Sequence, residues 1–142
     1  MKEIKDVIDW VIHYDVQNRD CKICGKHDEN PIGFTGFANI HTHGLSEHNH
    51  KELCIPLDIG FKLSRTILNQ CGIRIKLEHK KYVPGKDYSV IQNLPVLFYG
   101  FDDSDTLYMI MPDPNGKFPE DDGCEFPYNK QILYAKIIEK DN

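Results

Sequence analysis

Apolar residues recur at every fourth position from Ile59 to Cys71, and this repeat constrains the fold more than any other feature of the sequence. It predicts an amphipathic helix, with Asp58 placed to cap the first turn and Gly72 placed to end the last one. Strand-like segments flank the helix on both sides. A chain of this length with such a pattern is expected to form one α+β domain over residues 1–142.

The strand-like segments are short apolar or alternating runs bounded by turn residues. The predicted strands cover residues 34–42, 52–57, 88–91, 95–101 and 106–111, and Pro56 is expected to end the second of them. The first two are expected to form a hairpin, as are the last two, which predicts a mostly antiparallel sheet. Because side chains alternate between the faces of a strand, His41 and His43 are expected to point the same way.

The two ends of the chain complete the predicted fold. Residues 2–14 carry apolar side chains at helical spacing, which predicts an amphipathic N-terminal helix. Residues 112–128 contain four prolines and two glycines and are predicted to be a long acidic loop, and residues 131–138 a closing strand or helix. The expected architecture is therefore an N-terminal helix, a mostly antiparallel sheet and one further packed helix.

Cysteines and histidines form the clearest chemical pattern. Cys21 and Cys24 are separated by two residues in a stretch without helical or strand periodicity, as in zinc knuckles and ribbons. On an extended strand, the Cα atoms of His41 and His43 lie about 7 Å apart, a separation that two ligands of one ion can span. We therefore expect these four residues to bind one zinc ion in a closed, structural site.

Other readings of the same residues remain open. His27 and Cys124 are reserve ligands that could replace either histidine of the His-x-His pair. The Cys21 and Cys24 thiols could also be a redox pair or incidental loop thiols. A DNA-reading zinc finger is not expected, because its last two ligands are three to five residues apart on a helix.

Charge and hydropathy restrict the partners and the compartment. The chain has 17 Lys+Arg and 22 Asp+Glu, a formal net charge of −5, which disfavours general binding to nucleic acids or anionic membranes. No apolar run approaches the roughly 18 residues that a membrane span requires. The first residues lack the apolar run of a signal peptide, so we expect the mature chain to begin at Met1. The C-x-x-C pair and the odd number of cysteines favour a cytoplasmic protein.

A series of short motifs occurs along the chain in a fixed order. The series is Cys21-x-x-Cys24-x-x-His27, His41-Thr42-His43-Gly44-Leu45, His50-Lys51-Glu52-Leu53, and Pro112-Asp113 with Gly116-Lys117-Phe118-Pro119-Glu120-Asp121 and Cys124. It resembles the uncharacterised bacterial family called domain of unknown function 4262, over residues 15–133. The resemblance implies a small bacterial or bacteriophage α+β domain of unassigned activity.

The resemblance also bears on the choice of site residues. It implies that the metal site is an addition to the fold in those members that carry both Cys-x-x-Cys and His-x-His. It further implies that His50, Glu52 and Asp113 mark a site common to the family. Lys51 stands where the family's motif leads us to expect proline, which affects only the local turn.

Two functions are compatible with these observations. The first, which we favour, is a non-enzymatic module with a structural zinc ion that binds a small molecule or a protein partner. The alternative is a metal-dependent hydrolase, in which Cys21, Cys24 and one histidine hold the ion and water takes the fourth position. His50 or Glu52 would then be the base. An exposed strand edge could also pair two copies of the chain as a homodimer.

Overall fold

A six-stranded mixed sheet runs through the part of the chain that the computed structural model describes, residues 7–16 and 36–140. The strands are β1 (Val11–Val16), β2 (Phe37–His43), β3 (Glu52–Leu57), β4 (Gly85–Ile91), β5 (Leu94–Gly100) and β6 (Thr106–Ile110). The helices are α1 (Phe61–Glu78) and α2 (Gln131–Lys140), and short 3₁₀ turns occupy Leu45–His48 and Tyr128–Lys130. The strand order is β1-β2-β3-β6-β5-β4.

The sheet consists of two antiparallel halves joined by one parallel pair. Strands β1, β2 and β3 form one half and β4, β5 and β6 the other, while β3 and β6 run parallel to each other. Helix α1 provides the long connection that a parallel arrangement requires. The α+β class, the mostly antiparallel sheet and both predicted hairpins are confirmed.

The predicted N-terminal helix over residues 2–14 is wrong beyond Val7, which is helical, because residues 8–10 form neither helix nor strand. Val11–Val16 is a strand that pairs antiparallel with β2. Its side chains alternate, with Ile12 and Tyr14 half-buried and His13 exposed, which is the period of two of a strand at a sheet edge. Helical spacing in the sequence is overridden here by pairing with β2, and residues 1–6 lie outside the described residues.

Helix α1 confirms the predicted amphipathic helix, but it begins and ends at residues other than those predicted. It begins at Phe61 and continues to Glu78, so Gly72 lies inside the helix rather than at its end. The chain leaves the helix at His79, which has the left-handed conformation with φ of 54°. Asp58 Oδ1 accepts a hydrogen bond from the Gly60 amide at 3.0 Å, one residue before the helix begins.

The two helices cover opposite faces of the sheet. The core under α1 includes Trp10, Ile40, Leu53, Ile55, Ile67, Leu68, Phe98 and Met109. The smaller core under α2 consists of Cys54, Tyr108, Ile110, Phe118, Ala135 and Ile138. His41 pairs directly with Cys54, and directly paired residues share a face, so His41 lies on the α2 face.

Neither α1 nor α2 combines the length and apolar character that a bilayer-spanning helix needs, and no other described helix does.

Candidate metal centre

Three histidines on the two outermost strands of one half of the sheet form a cluster, which we call the histidine cluster: His13, His41 and His43. His13 on β1 pairs directly with His41 on β2 in the antiparallel register, and His43 follows two residues later. One ligand nitrogen from each ring lies within 4.8 Å of the others. Among residues 7–16 and 36–140, this is the group of three potential ligands close enough to share one ion.

The spacing of the ring nitrogens fits zinc coordination. The Nε2 atoms of His41 and His43 are 3.1 Å apart. Two imidazole nitrogens bound to a tetrahedral zinc ion at 2.0–2.1 Å are separated by about 3.3 Å. The 3.1 Å contact is a hydrogen bond between the two rings, so its proton must leave before both nitrogens can bind one ion, but the nitrogens already lie near the required separation.

Asn39 fixes the tautomer of His41. Its Oδ1 lies 2.8 Å from Nδ1 of His41 and also accepts a hydrogen bond from the Cys54 thiol at 3.5 Å. Since an amide oxygen only accepts, Nδ1 of His41 carries the proton and Nε2 of the neutral ring presents a lone pair. A metal-binding histidine commonly donates its second nitrogen to such an acceptor.

The environment also keeps His41 neutral. Burial lowers the pKa of His41, and the neighbouring His43 and His13 lower it further. The unprotonated imidazole is the form that binds a metal ion. At neutral pH, His41 is therefore ready to act as a ligand.

A cleft of about 350 Å³ opens beside the histidine cluster, and we call it the histidine cleft. His41 and His43 line this cleft. Carboxylates line it as well, Asp103 and Asp105 from the β5–β6 turn and Glu139 from the end of α2. Its remaining lining residues are Asn39, Thr42, Glu52, Cys54, Ser104, Thr106 and Ile138. An ion held by His41 and His43 would face this space.

The structure describes only some of the metal ligands that the sequence predicts. His41 and His43 lie on one face of β2, as predicted. Their two rings are in contact. Cys21, Cys24 and His27 lie outside the described residues. Cys124 is in the acidic loop, where its thiol donates to the Lys117 carbonyl at 3.4 Å, and it is not part of the histidine cluster.

His13 is the site residue that sequence reasoning missed. It lies inside the segment that was predicted to be a helix, where its position gave no indication of a neighbour on β2. The signal that could have found it is the alternation of His13 with Ile12 and Tyr14, which matches a strand. Only the register of β1 against β2 places it opposite His41.

Glu52 holds the turn that follows β2. Its carboxylate accepts hydrogen bonds from the Thr42 hydroxyl at 2.8 Å and from three consecutive amides, Gly44, Leu45 and Ser46, at 3.1–3.2 Å. Burial alone would raise the pKa of Glu52, but these four donors outweigh it and lower the pKa. The carboxylate is thus ionised and committed to the backbone.

His50 joins two segments of the chain. Its Nε2 accepts the backbone N–H of Tyr82 at 3.0 Å, so Nδ1 carries the proton and donates to the Lys51 carbonyl at 2.7 Å. Burial lowers the pKa of His50, which keeps the ring neutral. Both nitrogens therefore have partners, and neither is free to take a proton from water.

Asp113 organises the acidic loop. Its Oδ1 accepts from the amides of Asn115 and Lys117, and its Oδ2 from the amide of Glu125, all at 2.8–2.9 Å. Of the residues that the family resemblance singled out, His50 and Glu52 line one cavity together, while Asp113 is not among the residues that line it. Of the three, only Glu52 lines the histidine cleft.

Comparison of the chain with known proteins identifies no relative. No protein-family model matches the chain, and neither a curated protein nor a solved structure matches it.

Proposed function

We propose that this chain is a zinc-binding module that holds its ion at the histidine cluster and binds a small molecule in the histidine cleft. The observation that carries the proposal is the convergence of His13, His41 and His43, with ligand nitrogens within 4.8 Å, beside a cleft that His41 and His43 line. The His41–His43 nitrogen separation and the Asn39 acceptor support it.

Two ligand sets follow from the sequence and the site. In the first, His13, His41 and His43 bind the ion and leave a fourth position for water or a ligand, which is typical of open zinc sites. In the second, Cys21 and Cys24 join His41 and His43 and close the site. Cys21 is eight residues from His13 and Cys24 is seventeen from His41, so the length of chain permits this set. The position of His13 favours the first.

Stoichiometry separates the two ligand sets. The purified chain is loaded with zinc, dialysed, and analysed for metal by plasma mass spectrometry. We expect one zinc ion per chain, lost in His13→Ala and in His43→Ala but kept in Cys21→Ser/Cys24→Ser. Loss in the cysteine variant with retention in His13→Ala would assign the closed set instead. His79→Asn is the control, because it changes an exposed histidine at a left-handed position that asparagine tolerates.

A metal-dependent hydrolase is the second candidate, because a three-histidine site with an open position is typical of zinc catalysis. His50 and Glu52 already accept hydrogen bonds from other groups of the chain, and the second nitrogen of His50 donates one. Neither residue is therefore a good candidate for the base. A zinc-loaded sample that cleaves an ester, phosphodiester or amide, with loss of cleavage in His43→Ala, would make the module an enzyme.

Origin, compartment and assembly are proposals on the sequence evidence. The ordered motifs support membership of the domain of unknown function 4262 family and hence a bacterial or bacteriophage source. The C-x-x-C pair supports a cytoplasmic protein, and the net charge of −5 argues against nucleic acid or membrane partners. The outer strands β1 and β4 each have one neighbour in the described sheet, so either edge could pair two copies as a homodimer or receive a protein partner.

A further inference from the structure

The histidine cleft is lined by two chemically different groups of side chains. One is the imidazoles of His41 and His43, and the other is carboxylates, Asp103 and Asp105 on the β5–β6 turn and Glu139 on α2. Among the described residues that line the cleft, none is lysine or arginine. A purely anionic ligand would thus be attracted by the metal ion alone and repelled by the carboxylates that line the same cleft.

Glu139 is the best-positioned of these carboxylates. It is half-buried near the end of α2, and its Oε2 accepts a hydrogen bond from the hydroxyl of Tyr108. Tyr108 is fully buried and pairs with Cys54, which lines the cleft, in the parallel β3–β6 pairing. Burial raises the pKa of Tyr108, and hydrogen bonding to Glu139 raises it further, so the phenol stays protonated and donates. This bond holds the Glu139 carboxylate in one orientation.

We infer that the histidine cleft binds small aminocarboxylates, with the carboxylate of the ligand on the metal ion and its ammonium group on Glu139. The inference rests on the proposed function, since the ion supplies the positive pole. A ligand with opposite charges at its two ends matches a cleft lined both by the ligands of a cation and by a carboxylate that a hydrogen bond holds in place. Asp103 and Asp105 are exposed residues that line the same cleft and add negative potential to it.

The test compares ligands of equal length with and without an amino group. Zinc-loaded protein is titrated calorimetrically with glycine, β-alanine and 4-aminobutyrate, and with acetate, propionate and butyrate as their counterparts. Metal content is measured after each titration, which confirms that the ligand has not extracted the ion. We expect at least one aminocarboxylate to bind about tenfold more tightly than its counterpart, as a charge-assisted hydrogen bond provides. Metal-free protein should show no such preference.

Two variants locate the ammonium site. Glu139→Gln should abolish the preference for the amino group while leaving zinc stoichiometry and binding of the plain carboxylate unchanged. Glu78→Gln, at an exposed position at the end of α1, should keep the preference. Equal binding of the two series, or a preference that persists in Glu139→Gln or without metal, would overturn the inference while zinc binding stands. Absence of zinc from the wild-type chain would overturn the proposed function as well.

Discussion

The side-chain oxygen of Asn39 lies 2.8 Å from Nδ1 of His41, two residues further along the same strand. Because the two side chains share a face of β2, this contact is a direct consequence of the strand period of two. It sets the tautomer that leaves Nε2 of His41 available to an ion. Asn39 therefore acts on the metal through His41 rather than by contact with it.

Replacing Asn39 with alanine should weaken zinc binding by about 10- to 100-fold, the usual effect of removing such a partner of a metal-binding histidine. Asn39→Asp keeps an acceptor at this position and should retain affinity close to that of the wild type. The measurement is competition with a chromophoric chelator. Asn129→Ala, at an exposed position in the 3₁₀ turn before α2, is the control. Unchanged affinity in Asn39→Ala would show that Asn39 does not act on the metal ion through His41.

Glu52 is expected to stabilise the fold by holding the Gly44–Ser46 amides. Glu52→Gln should lower the free energy of unfolding by about 1–2 kcal/mol at pH 7, since the charged acceptor is lost from a partly solvated site. The chemical denaturation of Glu47→Gln, an exposed glutamate in the same turn, should match that of the wild type.

The Glu52 contribution should also depend on pH. The folded state lowers the pKa of Glu52 below the ordinary value of 4.5, so the stabilisation is complete above that pH. It is lost as the pH falls through the lower, folded-state pKa. The difference between wild type and Glu52→Gln should therefore shrink below pH 4.5. A difference that stays constant down to pH 2 would contradict the assignment of the charge.

Gly72 is expected to be required by the ring of Trp10. A Cβ atom at position 72 would lie 2.4 Å from Cζ2 of Trp10, far inside van der Waals contact. Alanine favours a helix over glycine by about 1 kcal/mol, but the collision outweighs this gain, so Gly72→Ala should lower unfolding free energy by about 1–3 kcal/mol.

A double variant isolates the cause of the Gly72 effect. Trp10→Leu removes the part of the ring that would collide, so adding Gly72→Ala to it should cost less than it does in the wild type. Thr66→Ala, on the exposed side of α1, controls for helix propensity. Equal costs in both backgrounds would show that Trp10 is not what excludes a side chain at position 72.

Periodicity was a good guide to elements that bury one face and a poor guide to the edge of the sheet. The helix around Ile67, the β2–β3 hairpin and the β5–β6 hairpin follow from apolar patterns that the structure confirms. Pro56 was expected to end β3, yet it lies within Glu52–Leu57. The ends of α1 were also missed, because Gly72 meets a tryptophan from a distant part of the chain and so serves packing rather than termination.

The site could be predicted only in part for a similar reason. His41 and His43 are two residues apart on one strand, so local alternation was enough to pair them. His13 joins them through strand pairing across a separation of 28 residues, as its register with His41 shows, and no local pattern encodes that register. The roles of His50 and Asp113 depend on backbone amides of other segments, which a motif cannot reveal.

The most direct test of the metal centre is crystallography of the zinc-loaded chain, with anomalous diffraction recorded on both sides of the zinc absorption edge. The account predicts one anomalous peak per chain, bound by Nε2 of His41 and His43 and by a ring nitrogen of His13, with the remaining position facing the histidine cleft. A peak bound elsewhere, or histidine rings that keep their mutual hydrogen bond in zinc-saturated crystals, would contradict it.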